Sequence, residues 1–74
     1  MKLKVICETG GGGEPEPIAF EMGARRIEVV RIVDRWPDAR CRYYKVETSD
    51  GAVYILRFDE HSRHWEITWF SASG

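Results

Sequence analysis

The chain has 74 residues, of which 43% are hydrophobic, 12% aromatic and 31% charged, and its net charge is −1. This length allows one small domain, and the composition is that of a folded chain rather than a disordered one. The near-neutral balance removes any global pull toward nucleic acid or an acidic membrane. The longest apolar run, Ala52-Val53-Tyr54-Ile55-Leu56, is far short of the ~20 residues a membrane span requires.

The first segment, residues 2–8, alternates: Leu3, Val5 and Cys7 fall on one face, and Lys2, Lys4 and Glu8 on the other, with Ile6 the exception. That is a half-buried strand with lysines suited to an exposed edge. Its lysines resemble those of a signal peptide, but the apolar part is short and ends at Glu8, so no h-region forms. On this reading the protein is cytoplasmic and unprocessed. Residues 9–17 hold four consecutive glycines and two prolines, and are expected to form a long loop.

Residues 18–22 form a second short strand, with Ile18, Phe20 and Met22 in phase, and Gly23 supplies a tight turn. Residues 25–36 are the longest β-like run. Ile27 and Val29 share one parity while Val30 and Ile32 share the other. The segment is therefore a strand buried on both sides or one with a bulge near Val29-Val30 that flips its phase. Ile27, Val30 and Val33 also have helical spacing, but the density of β-branched residues favours strand.

Trp36-Pro37-Asp38-Ala39 is predicted to turn, because proline cannot donate to a ladder. Residues 40–48 return as a strand. Ser49-Asp50-Gly51 then carries the Asp-Gly signature of a type I′ hairpin. Residues 52–58 follow, with Tyr54, Leu56 and Phe58 in phase, then a turn at Asp59-Glu60-His61-Ser62. The last strand, residues 64–70, places Trp65, Ile67 and Trp69 in phase, and residues 71–74 are expected to be a frayed tail. Turn signals every eight to twelve residues without a strong helix imply an all-β fold. The expected form is an antiparallel meander of five to six strands, curled into a small SH3-like barrel or half-barrel so that neither face of the sheet is left bare. Phe20, Val29, Tyr44, Val46, Tyr54, Leu56, Trp65 and Ile67 are the expected core.

No sequence motif demands catalysis. The glycine run leads into Glu14 and Glu16 instead of the Gly-Lys-Ser/Thr of a phosphate loop. Cys7 and Cys41 are unpaired in sequence, and His61 and His64 fall at a turn, so no metal or other cofactor is expected. In a reducing compartment the two cysteines read as buried thiols rather than a bridge. Nucleophile and dinucleotide signatures are absent, and the chain reads as a non-enzyme.

Charge and aromatic placement point to binding. Residues 1–24 carry a balance of −2, residues 25–45 of +4, and residues 46–74 of −3. The candidate binding residues are Arg31, Arg35, Trp36, Arg40, Arg42, Tyr43 and Trp69. Arginine forks suit phosphates and carboxylates, and aromatic rings stack on bases. The plainer alternative pairs these arginines with Glu47, Asp59 and Glu66 on a solvated face. The expected role is a small β module that binds a protein partner or itself through an edge strand or an aromatic patch. Nucleic acid is the alternative ligand, and no membrane is expected as partner.

A wider pattern accompanies these residues: Phe20, Arg26-Ile27-Glu28-Val29, Asp34-Arg35-Trp36, Arg42-Tyr43-Tyr44-Lys45-Val46, Val53-Tyr54-Ile55-Leu56-Arg57 and Trp65-Glu66-Ile67. Over residues 18–68 the chain resembles a family of small bacterial domains of unknown function. Similar modules are fused near the C-terminus of proteins resembling Y-family DNA polymerases. The resemblance implies no catalytic residues, and its fused context implies a nucleic-acid or repair partner.

Overall fold

The computed structural model describes residues 3–9 and 15–72. Six strands follow in order: β1 (Lys4–Thr9), β2 (Pro15–Met22), β3 (Arg25–Asp38), β4 (Cys41–Thr48), β5 (Ala52–Asp59) and β6 (His64–Ala72). Each strand pairs antiparallel with its neighbour in sequence, giving one six-stranded sheet in the order β1-β2-β3-β4-β5-β6. The described residues contain no helix, so none is long and apolar enough to cross a membrane. The fold is an all-β meander curled into a half-barrel. A single bridge between Leu3 and Trp65 brings the start of β1 to β6.

The long strand β3 makes the curl possible. Its first part, Arg25 to Glu28, pairs with β2, whereas Val29 to Asp38 pairs with β4. Register shifts lie between Val29 and Arg31 and between Ile32 and Asp34. Val30 and Val33 are the extra residues, and both are exposed, at 64% and 41%. Of the two expectations for this segment, the bulge is therefore correct, and it occurs twice. Each bulge bends the strand and increases its twist, which carries the sheet round the core.

Inside the curl lie Phe20, Ile27, Tyr44, Val46, Ala52, Tyr54 and Leu56. Leu3, Val5, Met22, Val29, Ile32, Trp65 and Ile67 pack against them and are half-buried. Phe20 stands opposite Val5 on one side and Ile27 on the other. Its ring meets Tyr54 edge to face, with centroids 5.0 Å apart. Val29, Trp65 and Ile67 thus sit at the margin of the expected core. Ile27 joins the centre because it stands directly opposite the buried Phe20 of β2.

Several expected boundaries move. β1 continues to Thr9 and β2 begins at Pro15, so residues 15–17 belong to a strand rather than a loop. Residues 10–14 of that expected loop lie outside the described residues. Pro15 and Pro17 share one parity and stand opposite Thr9 and Cys7. Their nitrogens can therefore face away from β1, toward the side where β2 has no strand until Ala19. Pro37 likewise lies inside β3 rather than in a turn, along the stretch with β4 on one side only. The turn follows at Ala39-Arg40, with Asp38 opposite Cys41. Of the expected tail, Ser71 and Ala72 belong to β6, and Ser73 and Gly74 lie outside the described residues.

The β4–β5 hairpin also departs from expectation. A type I′ turn needs left-handed backbone at both central residues, but Gly51 alone has it here, with φ of 82°. The Gly51 amide donates to the Thr48 carbonyl at 3.0 Å. This is a three-residue loop in which an ordinary turn over Ser49-Asp50 is closed by a left-handed glycine. The Asp50 carboxylate favours it by accepting from the Thr48 hydroxyl and from the Ala52 amide.

Candidate functional site

Six residues on three successive cross-strand pairs of β3 and β4 line an open cleft of about 240 Å³: Arg35, Trp36, Pro37, Arg42, Tyr43 and Tyr44. Trp36 and Tyr43 face each other across the ladder, and their rings stack with centroids 5.4 Å apart and planes 3° from parallel. Arg35, Trp36, Arg42 and Tyr43 of the expected binding residues are thus gathered in one place. Tyr44 and Pro37 complete the cleft. Tyr44 escaped the sequence reading because its parity assigned it to the core, where it also belongs.

The other three candidates lie elsewhere. Arg31 stands opposite Glu47, beyond Val46 and Lys45 from the cleft. Arg40 lies in the β3–β4 turn, where its carbonyl accepts from the Glu60 amide at 2.8 Å. Trp69 is on β6, opposite Ile55, which in turn faces Lys45 and then Asp34 on β3.

Trp69 also departs from its expected phase. Leu56 faces Ile67 and Ile55 faces Trp69, so Thr68 is an extra residue. This bulge turns Trp69 onto the outer face, away from Trp65 and Ile67, and returns Phe70 to the core side opposite Tyr54. The Phe70 and Tyr54 rings lie 4.8 Å apart. Even so, Trp69 and Phe70 remain 47% and 53% exposed.

Folding largely neutralises the basic block. Arg31 pairs with Glu47 at 2.8 Å, Arg35 with Glu16 at 2.5 Å, Arg42 with Glu60 at 3.2 Å and Arg25 with Asp50 at 3.3 Å. Each of those carboxylates comes from one of the acidic flanks of the sequence. Arg26 pairs with Glu28 inside the block, and Arg57 with Glu66 outside it. The Arg31–Glu47 pair agrees with the plainer alternative. Asp59 instead accepts the amides of His61 and Ser62 at 2.9 and 3.2 Å, ordering the β5–β6 turn. Those amides hold the Asp59 carboxyl below the usual carboxylate range.

The cysteines are free and half-buried, and burial pushes the Cys7 thiol up, which disfavours its nucleophilic form. His61 and His64 are exposed. Among the described residues no three His, Cys, Asp or Glu side chains gather as metal ligands would.

The sheet edges differ sharply. Along residues 29–38, the side of β3 away from β4 carries two bulges, Pro37, and the charges of Arg31, Asp34, Arg35 and Asp38. The outer edge, β1, is short and carries Lys4 and Glu8. These are the usual protections against a stray strand. On β6, residues 67–72 read Ile-Thr-Trp-Phe-Ser-Ala, with neither charge nor proline, and the bulge at Thr68 is the one interruption.

No family model matches the chain, and neither does any curated protein or solved structure. None of these comparisons bears on the pattern noted over residues 18–68. Several of its members, namely Phe20, Ile27, Tyr44, Val46, Tyr54 and Leu56, are buried in the core. Arg35, Trp36, Arg42 and Tyr43 of the same pattern line the cleft.

Proposed function

We propose that the chain is a non-enzymatic binding module that receives an extended strand of a protein partner along the free edge of β6. The observation that carries this reading is the contrast between edges: β1 and β3 are guarded by charge, proline or bulges, whereas β6 ends in a neutral run with Trp69 and Phe70 exposed. An added strand gains main-chain hydrogen bonds along such an edge. Trp69 on the outer face and Phe70 on the core side then offer an anchor to successive side chains of the incoming strand.

Nucleic-acid binding at the β3–β4 cleft is the second reading. The Trp36–Tyr43 stack beside Arg35 and Arg42 favours it. The ion pairs with Glu16 and Glu60 count against it, because a phosphate would have to compete with carboxylates already in place.

The test is a titration of the isotope-labelled protein, at low micromolar concentration, with a peptide of alternating valine and threonine. Amide resonances of residues 68–72 are expected to shift while those of β1 and of residues 29–38 stay in place. Shifts confined to the β3–β4 cleft, or none up to millimolar peptide, would overturn the proposal.

A further inference from the structure

We propose that β6 pairs with β6 of a second copy of this chain, antiparallel about a two-fold axis at Phe70. This rests on the edge-binding reading and names its occupant.

The first argument is symmetry. Two identical antiparallel strands related by an axis perpendicular to the sheet must place one residue opposite its own copy. Centring on Phe70 uses the run that follows the Thr68 bulge. Phe70 then faces Phe70 of the other copy, Trp69 faces Ser71, and Thr68 faces Ala72. Centring on Trp69 would bring the bulge itself into the middle of the seam, where ladder bonds fail. The Phe70 register sets two half-exposed rings against each other on the core side, each already resting on its own Tyr54. Aromatic cross-strand pairs of this kind stabilise antiparallel ladders.

The second argument is charge. Residues 67–72 of β6 and the facing residues 52–56 of β5 hold no ionisable acid or base apart from the phenol of Tyr54. Like charges therefore do not meet when the edge pairs with itself. The nearest charged group along β6 is Glu66, which lies outside the pairs formed by residues 68–72 in this register. An edge without charge gives a foreign strand of either sign no electrostatic advantage, whereas its own copy is matched in length, register and ring positions. The seam is short compared with standard interfaces of about 1,600 Å², so the dimer forms and dissociates with concentration.

Sedimentation velocity of the wild-type protein from low micromolar to millimolar concentration reads this directly. The apparent mass is expected to rise twofold over the series. Ala72→Pro, which removes an amide of the outward-facing parity of β6, is expected, with its far-UV spectrum unchanged, to remain monomeric throughout. Register is read by air oxidation at the upper concentration. Phe70→Cys is expected to form a covalent dimer, whereas Ser71→Cys, which faces Trp69, is not. A wild-type protein that is monomeric up to millimolar concentration overturns self-pairing. So does covalent dimerisation that is equally fast for both cysteine variants. Shifts at residues 68–72 with the valine–threonine peptide in a protein that never dimerises would leave the edge-binding reading standing while removing this one.

Discussion

The hydroxyl of Tyr44 donates to the carbonyl oxygen of Pro15 at 3.1 Å, tying β4 to the start of β2 in the partly buried interior. Beside it, Arg35 holds Glu16. The two contacts fasten the opening of β2, which pairs with β1 but has no strand on its other side until Ala19, onto the concave side of the sheet.

Tyr44→Phe is therefore expected to destabilise the fold by about 1 kcal/mol, because the buried Tyr44 ring loses its part-buried hydrogen bond to the Pro15 carbonyl. Urea denaturation checks this. A change within experimental error would mean that the carbonyl finds water or another donor.

Ala39 and Arg63 have left-handed backbone, with φ of 49° and 59°. A side chain costs about 1–2 kcal/mol in that conformation, while glycine adds unfolded-chain entropy that offsets part of the gain. Ala39→Gly is expected to raise the thermal midpoint, with a net stabilisation of up to about 1 kcal/mol. A lowered midpoint would show that the turn at Asp38-Ala39-Arg40-Cys41 relaxes to suit alanine.

Acid is expected to weaken the fold through its turns. The Thr48 hydroxyl holds the Asp50 carboxyl below the usual carboxylate range, and the Ser62 and His61 amides do the same for Asp59. Folded-state values below the unfolded ones mean that the stabilisation is complete above the unfolded carboxylate range, about pH 4. It is lost as pH falls through the folded values. Asp50→Asn is expected to flatten the dependence of the denaturation midpoint on pH below about 4. Curves of equal steepness would locate the sensitivity elsewhere.

Single-stranded DNA is expected to bind weakly. With Arg31, Arg35 and Arg42 engaged by carboxylates, a log–log salt titration with oligothymidine is expected to show a slope equivalent to at most about two phosphates. A steeper slope that Arg42→Ala reduces would instead favour the nucleic-acid reading.

Strand number and order were legible because Gly23, Asp50-Gly51 and Asp59 punctuate the chain where it turns, and a meander needs nothing beyond neighbour pairing. The phase switch at Val29-Val30 was visible as a change of parity in apolar residues. The bulge at Thr68 was not, because Trp65, Ile67 and Trp69 keep an unbroken alternation that the structure interrupts. Pro37 misled for a related reason: proline is barred from a ladder only where its nitrogen must donate, and sequence does not say which edge is open. The basic block looked like a ligand site because two of the carboxylates that meet it, Glu16 on β2 and Glu60 in the β5–β6 turn, are distant in sequence and were not among the expected partners, whereas Glu47 was. The Trp36–Tyr43 stack depends on the β3–β4 register, which the two bulges of β3 set.

The Leu3–Trp65 bridge has a kinetic meaning. Every other strand pairing joins neighbours in the chain, and so closes a short loop at small entropic cost. Among the described residues the bridge alone spans most of the sequence. An all-β fold built this way escapes most of the delay that distant pairings impose on sandwiches and Greek keys. The sheet can grow by addition of successive hairpins in any order, and the curl is locked only when its two ends meet.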